Sequence, residues 1–138
     1  MKVKLLHPSA ICPTRGTAWS AGWDLYAVED IIIIPGTSEV IPLGIAVDVG
    51  KGNFGLLTHR SSFGFKLDTI ASFGCVDADY RGEVKVKLFN LGADGVYIKT
   101  GDRVAQLLIV PVEMKGIEVL EELEETFRGE GGFGHSGV

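Results

Sequence analysis

Reactive side chains are concentrated in one segment, Gly74-Cys75-Val76-Asp77-Ala78-Asp79-Tyr80-Arg81-Gly82-Glu83-Val84. Three carboxylates, a tyrosine and an arginine stand there between two apolar segments. A carboxylate at a strand end can act as a general base towards water, with a second carboxylate held in an ion pair to position it. Because Asp and Gly also occupy tight turns for backbone reasons, a polar turn without chemistry explains the same residues. The segment supports either interpretation.

A second polar group, His59-Arg60-Ser61-Ser62-Phe63-Gly64, follows an apolar segment. Hydroxyl groups and the free N–H groups of a starting helical turn bind phosphate oxygens, and a guanidinium adds fixed positive charge. The alternative is ordinary N-capping of a short helix by Ser61 or Ser62. A buried ion pair between Asp24 and Arg60 would fix the guanidinium, and we state this pair as a hypothesis.

Two segments combine a glycine, a carboxylate and the start of an apolar strand: Ala21-Gly22-Trp23-Asp24-Leu25-Tyr26 and Gly101-Asp102-Arg103-Val104-Ala105-Gln106-Leu107. Most segments of this kind are plain turn-to-strand transitions. After Thr126 the chain becomes glycine-rich, which is typical of a disordered terminus or a tag remnant. One Arg and one Phe on such a pliable backbone could also wrap a ligand as a lid.

The elements that must position these residues are mainly strands. Nineteen glycines and five prolines separate short segments rich in Val, Ile, Leu and Phe, which predicts an all-β fold. Strands are predicted at 2–6, 23–27, 30–34, 38–49, 53–58, 68–71, 83–91 and 104–112. The alternation from Val84 to Leu88 indicates a half-buried strand with lysines outside. Segment 117–126 carries five glutamates that also suit a helix, and we favour a strand there.

Length and charge restrict the class of protein. The 138 residues suit one domain. A net charge of −5 disfavours a nucleic-acid surface. No run approaches the ~18 apolar residues of a membrane span, and no targeting signal is evident at the start. Cys12 and Cys75 have no metal-ligand spacing and are expected to be reduced thiols. The three histidines also lack such spacing or a nucleophile partner. We expect a soluble intracellular protein, cytoplasmic or nuclear.

Taken in order, the polar segments resemble the five motifs of the trimeric dUTPase family. The motifs lie at 21–26, 60–64, 74–84, 101–107 and 128–137. The resemblance implies a distorted jelly-roll-like β-barrel that forms a homotrimer, with active sites at subunit interfaces. Residues 1–127 would form the β domain, and residues 128–138 a glycine-rich arm that closes over a neighbouring site. The implied reaction is hydrolysis of dUTP to dUMP and pyrophosphate, which keeps uracil out of DNA and supplies dUMP for dTMP synthesis.

The same resemblance assigns the nucleoside and the reacting water to the third motif. Asp77 would activate the water that attacks the α-phosphorus, with Asp79 in a supporting position. Tyr80 would pack under the deoxyribose and leave no space for a 2′-hydroxyl. The remaining members of this group are the uracil-reading hairpin and a lysine that lines the pocket: Gly74, Cys75, Val76 and Lys85.

The other motifs would bind the phosphate chain. The resemblance places Arg60, Ser61, Ser62 and Gln106 on the phosphates. Mg²⁺ would be held mainly by the phosphates and waters, with Asp24 reached through water. In the arm, Arg128 would clamp the γ-phosphate and Phe133 would stack on uracil, while Gly134 and the other glycines bring N–H groups to the phosphates.

Three departures from the family pattern and two alternative functions remain. His59 replaces a common proline, Ala71 an asparagine that reads the base in some members, and His135 a serine; we expect His135 to face solvent rather than to add a pH-dependent phosphate contact. A dCTP deaminase shares the fold but needs a glutamate on the strand after the third motif, where Lys87 stands. A non-catalytic binding module could dispense with Asp77, Tyr80 or the arm.

Overall fold

The structure, a computed structural model, describes residues 1–132 as an all-β chain with one short helix. The fold class expected from the sequence is confirmed. The strands and the helix, in chain order, are β1 (Lys2–Leu5), β2 (Trp23–Tyr26), β3 (Ile31–Ile33), β4 (Ser38–Pro42), β5 (Ile45–Asp48), β6 (Asn53–His59), α1 (Ser61–Leu67), β7 (Thr69–Ala71), β8 (Gly74–Val76), β9 (Lys85–Asn90), β10 (Val96–Ile98) and β11 (Arg103–Pro111).

The strands pair antiparallel in four small sheets around a single apolar core. The largest sheet has the order β2-β11-β6-β8, and a second has the order β4-β9-β7. Two further pairs, β1-β5 and β10-β3, complete the described part of the chain. In β9 the predicted alternation is confirmed, because Val86 and Leu88 are buried while Lys85 and Lys87 are exposed. The core is thus built from the inward faces of short strands, as expected for a jelly-roll-like barrel.

The predicted strand at 38–49 is in fact two strands that belong to different sheets. The chain turns between β4 and β5 at Gly44, whose φ of 61° is left-handed. An ideal Cβ atom at Gly44 would lie 2.7 Å from Val28 Cγ1 and 2.8 Å from His7 Cβ. Hydropathy does not reveal this break, because strongly apolar residues continue through it. The short elements α1, β8 and β10 were also not among the predicted elements.

The predicted strand at 117–126 is wrong. The segment has no helix or strand, and all of its side chains are exposed. Within residues 1–132 no strand pairs with it, so its apolar residues Ile117, Val119 and Leu123 remain in solvent.

Cys12 and Cys75 are free and exposed, as expected from their spacing. Within the described residues no helix has the length and hydropathy needed to cross a membrane.

The turn at Gly44 gives a direct test of the fold. Gly44→Ala forces a side chain into a left-handed position and into contact with Val28 and His7. We expect the free energy of unfolding to fall by about 3 kcal/mol, of which about 1 kcal/mol is backbone strain. Gly36→Ala is the matched control, since its φ is 73° but an added Cβ meets nothing within 4 Å.

For the control we expect a loss of about 1 kcal/mol. Chemical denaturation of both variants at one protein concentration measures the difference. Equal losses would show that the space around position 44 is not restrictive.

Candidate active site

A cavity of about 580 Å³ brings together most of the residues predicted to bind a nucleoside. It opens beside β8 and extends to the start of β9. Six predicted site residues line it: Gly74, Cys75, Val76, Asp77, Tyr80 and Lys85. Leu57, Glu83 and Val84 complete the wall. The third sequence motif therefore folds around a concave site rather than forming a plain surface turn.

The turn between β8 and β9 is closed by hydrogen bonds from its own residues. The N–H of Tyr80 donates to the backbone oxygen of Asp77 (3.1 Å). Arg81 Nη1 donates to the backbone oxygens of Ala78 and Tyr80, both at 2.8 Å. These bonds fix the backbone of the turn from Asp77 to Arg81, which carries both the Asp77 and the Tyr80 side chains.

The two aspartates of this turn have different surroundings. We call the 580 Å³ cavity the nucleoside cavity, after the ligand predicted for its residues. Asp77 is exposed and lines both this cavity and a second cavity of about 1150 Å³. Asp79 lines only the second cavity. The hypothesis that the second carboxylate is held by an ion pair is not supported in residues 1–132, because Arg81 pairs with Asp48 (3.5 Å) instead. Of the two aspartates, Asp77 is therefore the one that lines the nucleoside cavity.

A buried carboxylate organises a second polar cluster at the other end of the large sheet. Asp24 on β2 is 3% exposed. Its Oδ1 accepts from Arg60 Nε (3.0 Å) and Gln106 Nε2 (3.1 Å), and its Oδ2 from Arg103 Nη1 (3.3 Å). The hypothesis of a buried ion pair between Asp24 and Arg60 is confirmed. Burial of a carboxylate requires such compensation, so this cluster is fixed by the fold.

The charges of this cluster, which we call the Asp24 cluster, suit a polyanionic ligand. Arg60 and Arg103 supply two positive charges against the one negative charge of Asp24. The side chain of Arg103 is half exposed, so its remaining N–H groups can reach a ligand. Guanidinium groups and an amide are good donors to phosphate oxygens. The cluster can therefore bind phosphate although the chain is acidic overall.

Helix α1 begins directly after Arg60, which is its N-cap residue. No side chain caps the helix, so the alternative in which Ser61 or Ser62 acts only as an N-cap is wrong. Ser62 Oγ lies 3.4 Å from Arg60 Nη1, which brings its hydroxyl to the Asp24 cluster. Ser61 is exposed. Both hydroxyl groups stay available to a ligand.

The His59 ring packs against helix α1. A Cβ atom at Gly64 in that helix would lie only 3.2 Å from His59 Cδ2. Its Nδ1 is buried and has no hydrogen-bond partner in the described residues. The replacement of proline at this position is thus accommodated by contact with a glycine of the helix.

The nucleoside cavity and the Asp24 cluster lie at opposite edges of the large sheet. Strand β8, whose residues line the cavity, is one edge strand, and β2, which carries Asp24, is the other. Gln106 is directly opposite Asp24 and Thr58 in the two neighbouring strands, so these three side chains share a face. One chain therefore presents two separate half-sites, which have no residue in common.

The structure covers only the start of the predicted arm. Arg128 Nε donates to the backbone oxygen of Gly131 (2.6 Å) in a local turn that is exposed. The predicted roles of Phe133, Gly134 and His135 fall outside the described residues.

Residues 1–132 contain no group of three or more His, Cys, Asp or Glu side chains that could hold a metal ion. Lys87 is exposed, lies 5.2 Å from the Phe89 ring centroid and does not line the nucleoside cavity.

Arg103 is the one member of the Asp24 cluster that was not predicted from sequence. It begins β11 opposite Tyr26 and reaches Asp24 across a register shift in the pairing of β11 with β2. Its backbone oxygen also accepts from Arg60 Nη1 (3.3 Å). The only signal in the sequence is its position three residues before Gln106, which alternation would place on the opposite face.

Comparison with known proteins gives one consistent result. The family model described as dUTPase matches residues 8–137. A deoxyuridine 5′-triphosphate nucleotidohydrolase of Syntrophotalea carbinolica is 40% identical, over 99% of this chain and 96% of the relative. The corresponding protein of Candida albicans is 44% identical, over 99% and 87%.

Solved structures agree with the sequence comparison. A G164S mutant of the dUTPase of Staphylococcus bacteriophage 80alpha, with dUpNHpp, superposes with a TM-score of 0.94 at 31% identity, covering 99% of this chain and 98% of that chain. A dUTPase mutant of Staphylococcus aureus phage phi11, which coordinates a structural Mg(II) ion, gives a TM-score of 0.85 at 27% identity, covering 90% and 98%.

The Asp24 cluster predicts a large effect of a small substitution. Asp24→Asn keeps the side-chain size but removes the charge that compensates Arg60 and Arg103. We expect the free energy of unfolding to fall by about 3 kcal/mol, measured by urea denaturation. Asp94→Asn is the control, because Asp94 is exposed and a surface change of this kind costs less than about 0.5 kcal/mol. Equal stability of the two variants would contradict an anchoring role for Asp24.

Proposed function

The chain belongs to the dUTPase family, and on that premise we propose that it hydrolyses dUTP to dUMP and pyrophosphate with Asp77 as the general base. One observation supports this most directly: a single cavity is lined by Asp77, Tyr80, Lys85 and the β8 residues that the family motif assigns to the nucleoside. Hydrolysis of dUTP would keep uracil out of DNA and supply dUMP for dTMP synthesis.

The proposed reaction is one in-line displacement at the α-phosphorus. The Asp77 carboxylate accepts a proton from a water molecule, and the water oxygen bonds to the α-phosphorus. The bond from that phosphorus to the bridging oxygen of the β-phosphate breaks, and pyrophosphate leaves with the bonding electrons. Since no covalent enzyme intermediate forms, the absence of a nucleophile–histidine pair is no obstacle.

Recognition of the base is proposed to use the backbone of β8. This strand lies at the edge of its sheet and pairs only with β6 in the described part of the chain. An edge strand has N–H and C=O groups that point away from its partner. A pyrimidine has donors and acceptors along one edge, so it can bind to Gly74, Cys75 and Val76 much as another strand would.

Selection of the sugar is assigned to Tyr80. Its ring is 44% exposed and lines the same cavity as Asp77. A flat aromatic face beneath the deoxyribose leaves no volume for a 2′-hydroxyl. Lys85, at the far wall, lies 3.3 Å from Glu83 Oε2 and is held in place by that contact.

The triphosphate is proposed to bind at the Asp24 cluster and the start of α1. Arg60, Ser61, Ser62 and Gln106 donate to phosphate oxygens, and Arg103 adds a second guanidinium. Mg²⁺ would bind mainly to the phosphates, with Asp24 reached through water, and it would neutralise part of the charge on the phosphate chain. Because Asp24 is nearly enclosed by its three donors, its main part is to hold those donors in place.

A complete site is proposed to need more than one copy of the chain. The two half-sites lie at opposite edges of the large sheet in one chain, so we expect a nucleotide in the cavity to take its phosphate contacts from a neighbour. The exposed apolar residues after β11 support an assembly too, since Ile117 is 96% and Leu123 85% exposed in one chain. We propose a homotrimer of β domains (residues 1–127) whose arms (residues 128–138) close over neighbouring sites with Arg128, Phe133 and Gly134.

A substrate panel tests the reaction and its base. We expect pyrophosphate release from dUTP, and at most slow release from dCTP, dTTP and UTP, in the presence of Mg²⁺. Asp77→Asn should lower kcat by about three orders of magnitude or more and leave nucleotide binding intact. Asp79→Asn, which changes the aspartate that does not line the cavity, is the control and should retain most activity.

Preference for any other nucleotide would refute the proposed substrate. Normal turnover by Asp77→Asn would refute the proposed base.

Mixing two inactive variants tests whether sites are shared between copies. Asp77→Asn and Arg60→Ala each disable one half-site. In trimers assembled from equal amounts of both, we expect about a quarter of wild-type activity, because some sites combine the intact halves of two copies. A mixture of Asp77→Asn with Asp77→Ala is the control and should remain inactive. If the first mixture also stays inactive although native mass spectrometry shows mixed trimers, each site belongs to one chain.

A further inference from the structure

Gly82 lies so close to the phenol of Tyr80 that a residue with a side chain would clash with the ring. An ideal Cβ atom at Gly82 would lie 2.4 Å from Tyr80 Oη, 2.6 Å from Cζ and 3.0 Å from Cε2. Non-bonded carbon atoms are optimally about 3.5–4.0 Å apart, so the ring fills the space of a side chain at this position. Gly82 has no positive φ, and the restriction is therefore one of space.

The hydroxyl group of Tyr80 is held by the backbone of Glu83, the residue that follows Gly82. Tyr80 Oη donates to the backbone oxygen of Glu83 (3.0 Å). The Glu83 side chain is itself anchored, because the N–H of Gly44 donates to its Oε1 (3.0 Å). The N–H of Val84 donates to the backbone oxygen of Ile45 (2.8 Å). The acceptor for the phenol is thus tied to the tightly packed turn between β4 and β5.

We call the contacts of Tyr80 with Gly82 and with the Glu83 backbone the seat of the ring. Little else constrains this side chain. Nearly half of Tyr80 is exposed, so packing on its outer side does not fix it. Contact with the bare Cα of Gly82 sets how far the ring can approach the turn. The hydrogen bond to Glu83 sets where the hydroxyl lies along the cavity wall.

We propose that Gly82 and Glu83 are positioning residues that fix the height of the Tyr80 ring and so determine the discrimination between deoxyribose and ribose. This inference rests on the proposed function, in which the sugar lies on Tyr80. Exclusion of a hydroxyl group requires a wall that does not move, because a displacement of atomic size changes which sugar fits. The seat supplies that rigidity.

Gly82→Ala tests the seat, since its methyl group must push the phenol away. The ratio of kcat/KM for dUTP to kcat/KM for UTP, measured by pyrophosphate release, should fall at least about tenfold. Gly95→Ala is the matched control, because its Cβ would lie no closer than 3.6 Å to the Tyr97 ring. The control should keep the wild-type ratio. An unchanged ratio in Gly82→Ala would overturn the inference.

A double-mutant cycle shows whether Gly82 acts through the ring. In a Tyr80→Ala background the group that the new methyl displaces is absent, so Gly82→Ala should change the ratio no further. An equal change in both backgrounds would refute a positioning role.

Variants of Glu83 test the positioning role separately, and they still do so if Gly82→Ala does not fold. Glu83→Ala removes the acceptor of the Gly44 N–H and should lower the ratio. Glu83→Gln keeps an oxygen for that bond and should restore it. Equal ratios in Glu83→Ala and wild type would overturn the role of Glu83.

The wild-type ratio separates this inference from the proposed function. Equal cleavage of dUTP and UTP by the wild-type protein would refute the proposed sugar selection itself. A strong wild-type preference for dUTP that is unchanged in all the variants would refute only the positioning role of Gly82 and Glu83.

Discussion

The phosphate half-site depends on the burial of one carboxylate. Asp24 is buried on β2, an edge strand of the large sheet, and an ionised carboxylate is tolerated there only with matched donors. Arg60, Arg103 and Gln106 provide them from β11 and from the junction of β6 with α1. Parts of the chain far apart in sequence are thus locked together. The same pairing concentrates positive charge on a chain of net charge −5.

Local patterns predicted the fold where packing follows hydropathy. The alternation in β9 and the partnership of Asp24 with Arg60 could be derived because each depends on side-chain polarity and charge. The break at Gly44 could not, since it is imposed by contact with His7 and Val28. Three-residue strands such as β8 and β10 exist only through their partners, and segment 117–126 forms no strand because nothing within residues 1–132 pairs with it.

The site was predictable by residue type more than by arrangement. The motif at 74–84 contained Asp77, which is the proposed base, Tyr80 and the cavity wall, and the structure brings them together. Their order in sequence did not reveal that the phosphate residues and the nucleoside cavity lie at opposite edges of the large sheet, because that follows from the order in which the strands pair. Arg103 was missed because a register shift, which alternation does not anticipate, carries it to Asp24.

If Tyr80 selects the sugar as proposed, its close approach to Gly82 limits how sugar preference can evolve at this site. Every other amino acid carries a Cβ atom, so the first mutational step at position 82 already introduces a steric conflict with the phenol. No series of progressively larger residues exists there along which selection could relax or sharpen the preference by degrees. Gradual change would have to come through residue 83 or the Gly44 turn, whose effects on the ring are indirect and can be small.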